Sequence, residues 1–565
     1  MHSTLTRALI AAAAAALLVP PGASAAPLDD VLADDLAPPL AGWSTTGKPG
    51  VRAIALRDGR GLALAPGGWI RRELPADPWS LSLDVRVFRG STLQIAVGGH
   101  SLNVRQGNRG RTTVLSGAYS ASIDPMPGWM GGGWRHIQIV GHDPAEVHVD
   151  GTRVPHGVRP GGTVRIRVRR GSAQLTGLVA TPRDDARALI LHRLAELHAR
   201  VPARRFPVGV GADDGRLRFA GGWTDGFWAG SLWRAYDLTG SPLFRNWAAK
   251  ATTDHFGHED EAIHDQGFRY LESSAASYDR TCGGRREPPS QRCRVLLKST
   301  SKAARTLYHM WLANRGTKTI PTVGYPRRCR NCASRDEVET IVDGVMNLGL
   351  LDWEWARTGS KQLREVALTS ARGVARLLVR GDGSTAQGVR TNRLDGTVLA
   401  YEHRQGLSAD STWARGQAWA IYGFARTGLA FRQADLLQVA ERTADLLERR
   451  LPASRVPLYD FDAPAGSPED TSAGVIAAAG LMRLGDACER MAGTCAMEPA
   501  HWRDLGRSML QAALTHVDSH APIGVLHDQV YSLGGSATWD DAGEYMFGVD
   551  YALEAIARER ARPRG

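Results

Sequence analysis

The chain has 565 residues, is 43% hydrophobic and carries a formal net charge of +11, enough apolar content to bury the cores of two domains. A positive balance favours acidic partners: polyanionic glycans, nucleic acid or anionic surfaces. The arginines are scattered rather than interleaved with aromatics in a recognition motif, which argues against nucleic acid, and an Arg-rich coding bias accounts for the charge equally well.

Residues 1–26 have the layout of an export signal. Arg7 gives the positive end, residues 8–19 the apolar segment and Ala23-Ser24-Ala25 the small-residue cleavage site. The apolar run is too short to span a membrane, and no later stretch is long or pure enough. A secreted protein without a membrane span is expected. Residues 27–183 read as an all-β accessory domain, with alternating segments at 81–88, 92–97, 101–105, 136–140, 146–149 and 164–168 and an Asp150-Gly151 hairpin signal. That spacing predicts a two-sheet sandwich. The run Trp134-Arg135-His136-Ile137-Gln138-Ile139, followed by Val147-His148-Val149-Asp150-Gly151, resembles the closing strands of concanavalin-like (laminin-G-type) jelly rolls. Such sandwiches bind glycans or serve a purely structural role, and no residue here is assigned a ligand.

From residue 184 to 565 the period becomes helical, beginning with a periodic helix at 186–200. Tyr236-Asp237-Leu238-Thr239-Gly240, Trp355-Ala356-Arg357-Thr358-Gly359 and Phe424-Ala425-Arg426-Thr427-Gly428 each read as a helix stopped by a left-handed Gly before the next helix. About six such hairpins, closed in a ring, predict an all-α toroid with functional loops at one end. Six cysteines suit an oxidising compartment. Cys488 and Cys495 are spaced as a local disulfide. Cys282, Cys293, Cys329 and Cys332 lie in one Arg-rich insertion, where disulfides are favoured over a zinc site because the first pair has the wrong spacing.

Chemistry concentrates in five stretches of this half. Gly222-Trp223-Thr224-Asp225-Gly226-Phe227-Trp228 opens a helix with aromatic rings, and His264-Asp265-Gln266-Gly267-Phe268 opens another. Asp343 stands among Ile341, Val342, Val345 and Met346, where burial would raise its pKa and keep the proton that a general acid needs; Asp265 is a candidate partner. The alternative for each is an N-cap or a buried acceptor. Asp382-Gly383-Ser384-Thr385 and Gln405-Gly406 precede Ser411-Thr412-Trp413-Ala414-Arg415-Gly416-Gln417-Ala418-Trp419. On a helix Arg415 and Trp419 share a face, as do Trp413 and Gln417. Indole faces cover sugar C–H surfaces and Arg offers a planar fork to a carboxylate, so this stretch reads as a sugar site, or else as a packed helix with locally satisfied polar groups.

In this order these stretches resemble the unsaturated glucuronyl hydrolases, over residues 186–560. The motifs are WTDGFWAG, HDQGF, IVDGVMNLGLLDW, DGST, a Gln-Gly followed by STWARGQAWAIYGF, VPLYDFDAP with DTSA, and FGVDYALEA. The resemblance implies an (α/α)6 barrel and hydration of the C4=C5 enol ether in a 4,5-unsaturated uronic acid. An acid protonates C4, water adds at C5, and the hemiketal opens to expel the next sugar. It places the acid/base at Asp343 and the assisting carboxylate at Asp265. It places substrate contacts at Trp223, Trp228, His264, Ser384, Gln387, Gln405, Trp413, Arg415, Gln417 and Trp419. It implies an acidic oligosaccharide as partner and no metal or nucleotide cofactor. Gln387 departs from the family's pattern, which has a His there; His403 is a nearby substitute. A polysaccharide lyase and a noncatalytic glycan-binding relative are the alternatives.

Overall fold

The computed structural model describes residues 26–27, 44–45, 51–56, 59–66, 68–73, 79–97, 100–106, 112–116, 119–123, 134–141, 146–149, 152–153, 163–182, 186–211, 216–219, 221–283, 288–517, 525–532 and 542–561. Residues 1–25 of the expected leader and the Asp150-Gly151 turn lie outside them. By internal packing the chain divides into Met1–Ala188 with Thr239–Asn246, and Leu189–Leu238 with Trp247–Gly565.

The N-terminal unit holds two antiparallel sheets. One runs, in spatial order, 26–27, 44–45, 69–73, 163–170, 92–97, 100–106, 112–116 and 119–123; the other 152–153, 146–149, 134–141, 79–87, 173–182, 59–64 and 51–56. The segments read from alternation at 92–97 and 146–149 are strands with those bounds, and the others differ by one or two residues at each end. Alternation does the sorting: Val164, Ile166 and Val168 are buried while Arg167 and Arg169 are exposed. Inward residues of both sheets, including Ile70, Leu93, Ile95 and Ile166 from one and Leu83, Ile137, Ile139 and Leu175 from the other, share a single core.

The second unit is built on helices α1 (Ala186–Arg200), α2 (Asp225–Thr239), α3 (Pro242–Asp254), α4 (Gln266–Tyr270), α5 (Ala276–Cys282), α6 (Gln291–Ala313), α7 (Gly344–Asn347), α8 (Gly349–Thr358), α9 (Lys361–Leu378), α10 (Ala414–Phe431), α11 (Ala434–Arg450), α12 (Thr471–Arg490), α13 (Pro499–Leu514) and α14 (Met546–Arg560). A π-helical turn, Leu271–Ala275, joins α4 to α5. Two kinds alternate. In α10, α12 and α14 nearly every residue is buried, and α2 is close to this, whereas α9, α11 and α13 bury one stripe and turn their charges outward. Small residues make the buried kind possible. A Cβ on Gly423 of α10 would stand 2.3 Å from Val345, so only glycine lets α7 come that close.

Gly240 and Gly359 hold the left-handed conformation expected of helix stops. Gly428 does not. It lies inside α10, which runs on to Phe431 and stops at left-handed Arg432. Gly428 is there because a Cβ would meet Leu437 of α11 at 2.7 Å. Disulfides join Cys282–Cys293, Cys329–Cys332 and Cys488–Cys495.

Two small sheets lead into the segments that carry candidate site residues. A three-stranded sheet, 337–341, 388–392 and 398–402, leads directly into Asp343 and into Arg404-Gln405; a four-stranded one, 217–219, 207–211, 542–545 and 529–530, leads into Tyr531 and Phe547.

Candidate active site

Asp265 and Asp343 each occupy the residue before a helix, α4 and α7, yet neither side chain caps it. Freed from that duty, both carboxyls turn towards His264. His264 Nε2 is 3.2 Å from Asp265 Oδ1, and one donor atom each from His264, Asp265 and Asp343 fall within 4.8 Å of one another. Asn347 ties the two helix starts together: its Oδ1 accepts from the Phe268 N–H at 2.7 Å and its Nδ2 donates to the Asp343 carbonyl at 3.4 Å. Gly267 permits the crossing, since a Cβ there would be 2.2 Å from the Asn347 Cα.

Burial sets the protonation. It pushes the Asp265 carboxyl up to about 7 against the pull of Arg269, and the Asp343 carboxyl up to about 6 against the pull of His264. Burial lowers His264, which therefore stays neutral near pH 7. The Asp343 Oδ1 atom is buried without a hydrogen-bond partner, as an oxygen aimed at a substrate would be. The same trio has the donor set for a cation, a grouping hidden in sequence by the distance along the chain.

Aromatic rings wall the trio. Trp223 is half-buried; its Nε1 donates to the Tyr531 hydroxyl at 2.9 Å, and its ring stacks on Phe547 at 5.1 Å. Tyr531 is close enough for both aspartates and Arg415 to act on its hydroxyl, which burial pushes up. The Arg415 guanidinium lies over Trp413 at 4.5 Å and over Phe547 at 5.0 Å. It is not an open fork. It is fully buried, Nη1 donates to Asp470 at 3.1 Å and to the Val530 carbonyl, and Nη2 donates to the Tyr531 carbonyl at 2.9 Å.

No family model matches this sequence. Among curated proteins, the unsaturated glucuronyl hydrolase of Bacillus sp. strain GL1 is 31% identical over 368 residues, which is 63% of this chain and 90% of that protein. The chain belongs to the unsaturated glucuronyl hydrolase family. An unsaturated chondroitin disaccharide hydrolase of Streptococcus agalactiae is 30% identical over 269 residues, 46% of this chain and 63% of that protein. A solved glucuronyl hydrolase structure, an Asp-to-Asn variant with dGlcA-Glc-Rha-Glc, matches with TM-score 0.58 at 28% identity over 66% of this chain and 96% of that one.

Within this glucuronyl hydrolase the other sequence-derived positions separate. Gln405 is half-buried beside the trio's loop, its Oε1 accepting from Gln387 Nε2 at 2.9 Å. Gln387 is buried, and its Oε1 accepts from the N–H groups of Arg404, Gln405 and Gly406 at 2.7, 3.0 and 3.2 Å. Gln387 thus shapes the 404–406 loop rather than reaching outward, and His403 is exposed. Four positions have partners outside the trio. Ser384 closes a turn on Asp382; Gln417 donates to the Gly383 and Thr443 carbonyls, both at 2.8 Å. Trp228 stacks near His198, and Trp419 is buried between Phe268 and Tyr551. On a helix buried all round, every large side chain meets a different neighbour, so shared motif membership does not mean a shared site. Sequence reasoning passed over Asn347, Tyr531, Arg404 and Glu339. Asn347 lies inside the IVDGVMNLGLLDW motif and Arg404 borders Gln405-Gly406, yet neither was given a role there; nothing local marks Tyr531.

Proposed function

We propose that this protein is a secreted glycosidase that releases 4,5-unsaturated uronic acid from the non-reducing end of lyase-generated oligosaccharides. Its substrate class is an acidic, unsaturated oligosaccharide, in keeping with the names of its relatives. The observation that carries the reading is the pair of half-buried carboxyls at Asp343 and Asp265, both with pKa values raised towards neutrality beside a neutral His264.

The Asp343 carboxyl gives its proton to C4 of the enol ether, the C4=C5 pair forms the new C–H bond, and positive charge develops at C5. Water adds there and returns a proton to the Asp343 carboxylate, so one group serves as acid and then base. The hemiketal formed at C5 opens and expels the next sugar. Once the proton shared by the pair has passed from Asp343 to C4, both carboxyls are ionised and supply negative charge to the cation at C5, in a site shielded by Trp223, Tyr531 and Phe547. Trp223 is the stacking wall for the uronide ring. Gln387, the departure from the family pattern, is absorbed by the 404–406 loop and leaves the carboxyl pair intact.

The finer architecture belongs to the same reading. Residues 1–26 are the export signal, 27–183 a jelly-roll sandwich and 184–565 an (α/α)6 barrel, in which the buried helices form the inner ring and the one-faced helices the outer. The test is loss of the far-ultraviolet absorbance of the conjugated double bond on a panel of unsaturated disaccharides. Wild type should consume at least one member, and Asp343→Asn, folded by circular dichroism, should lose at least about a thousandfold in kcat, the scale of a lost acid/base group or more. An active Asp343→Asn would remove Asp343 from the acid role.

A further inference from the structure

An unsaturated uronide brings a carboxylate at C5 towards a site that already holds two aspartates, and an anion there needs a cation to meet it. Three arginines act electrostatically on the trio: Arg269 on Asp265, Arg415 on Asp343, and Arg404 on both His264 and Asp265. Two of them are spoken for. Arg269 is 1% exposed and donates to Glu261 at 2.6 Å and His255 at 3.3 Å. Arg415 is 0% exposed, its Nη1 taken by Asp470 and the Val530 carbonyl and its Nη2 by the Tyr531 carbonyl. The Arg404 side chain is 31% exposed.

Arg404 is also held firmly. Its Nε donates to Glu339 Oε1 at 3.1 Å and its Nη2 to Glu339 Oε2, a two-pronged grip on a buried carboxylate. Its backbone N–H is fixed by Gln387 and its carbonyl by the Ser532 hydroxyl at 3.2 Å. No partner among the described residues takes Nη1. The result is a pre-oriented cation with one open edge beside the trio, the geometry suited to a planar carboxylate.

We propose that Arg404, rather than Arg415, receives the C5 carboxylate of the substrate and sets the enzyme's demand for a uronate. This rests on the uronide-hydrolase reading above. The experiment compares an unsaturated disaccharide with its uronate methyl ester and with a sulfated counterpart, for wild type, Arg404→Gln and Arg404→Lys. Wild type should prefer the free acid. Arg404→Gln should raise KM on the acid about 10- to 100-fold, the scale of a lost hydrogen bond to a charged group, with kcat within a few-fold and the ester unaffected. Arg404→Lys, which keeps the charge without the fork, should recover part of the loss.

Three results would overturn the assignment: equal losses on acid and ester, which would mark a merely structural loop role; an undiminished preference for the acid in Arg404→Gln; or a loss confined to the sulfated substrate. If wild type consumes no member of the panel, it is the reaction reading that fails. Calorimetric binding of acid and ester to Asp343→Asn, with and without Arg404→Gln, then still decides what Arg404 reads.

Discussion

At the residue scale, the two aspartates make the site's behaviour depend on pH in two separable ways. Because Asp265 and Asp343 interact, their titrations near 7 and 6 belong to the pair, and the singly protonated pair is the form that holds both an acid and a counter-charge. The rate on an unsaturated disaccharide should therefore peak between those values, falling above about 7 as the last proton leaves and below about 6 as the second is taken up. A rate flat from pH 5 to 9 would be incompatible with such a pair. Stability follows the opposite logic from an ordinary salt bridge. Asp265 binds its proton more tightly folded than unfolded, where a carboxyl sits near 3.9, so its contribution favours the fold in acid and turns against it as pH rises towards 7. Its side chain is 16% exposed, and with that screening we expect Asp265→Asn to gain about 1–2 kcal/mol at pH 8 and almost nothing at pH 4 in urea unfolding. The raised pKa of Asp343 was legible in sequence, because four apolar neighbours announce its burial. The fate of Arg415 was not, because the carbonyls of Val530 and Tyr531 that occupy it arrive from the far end of the chain.

At the scale of elements, the catalytic geometry rests on how closely α4 and α7 approach. Gly267 faces the Asn347 backbone with no room for a methyl group, and Asn347 is the side chain that bonds both helix starts. Gly267→Ala should cost about 1–3 kcal/mol through overpacking. By moving one carboxyl against the other it should also lower kcat on the order of a hundredfold, as small misplacements do. Thermal unfolding and kcat on the same preparation check the two together; a destabilised variant with full kcat would show that the crossing does not set the carboxyl pair. Elements were the most legible level. The β-alternation of 92–97 and the helical period of 186–200 mark those elements with their observed bounds, since each depends only on which face is buried. Gly428 was misread because a glycine admitted for close packing against Leu437 and a glycine that stops a helix look alike in sequence. Gln417 and Trp419 follow the same rule: their direction is fixed by neighbours that periodicity does not name.

At the scale of the helical unit as a whole, a buried charge network joins its early helices to its last. Arg234 of α2 reaches Glu272 in the π-helical turn at 2.9 Å, and Asp550 and Glu554 of α14, both at 3.0 Å. Glu554 in turn takes Arg483 of α12 at 3.0 Å, Arg558 at 2.8 Å and the Tyr422 hydroxyl of α10 at 2.8 Å. Burial alone would push Glu554 up, but Arg234, Arg558 and Arg483 outweigh it and hold it well below the usual carboxylate range, while Asp550 stays well above. Such a network adds little over a well-packed apolar core while complete, yet breaking it strands charge in a low dielectric. Arg234→Met should therefore cost about 3–5 kcal/mol at pH 8. The cost should shrink at pH 5, because the abandoned carboxyls then bind protons in the folded state more readily than in the unfolded one. Pairing it with Asp550→Leu, which removes one of those carboxyls, should return part of the stability. Urea unfolding of the single and double variants at both pH values separates this from lost packing, which would give the same deficit at either pH and no recovery in the double variant.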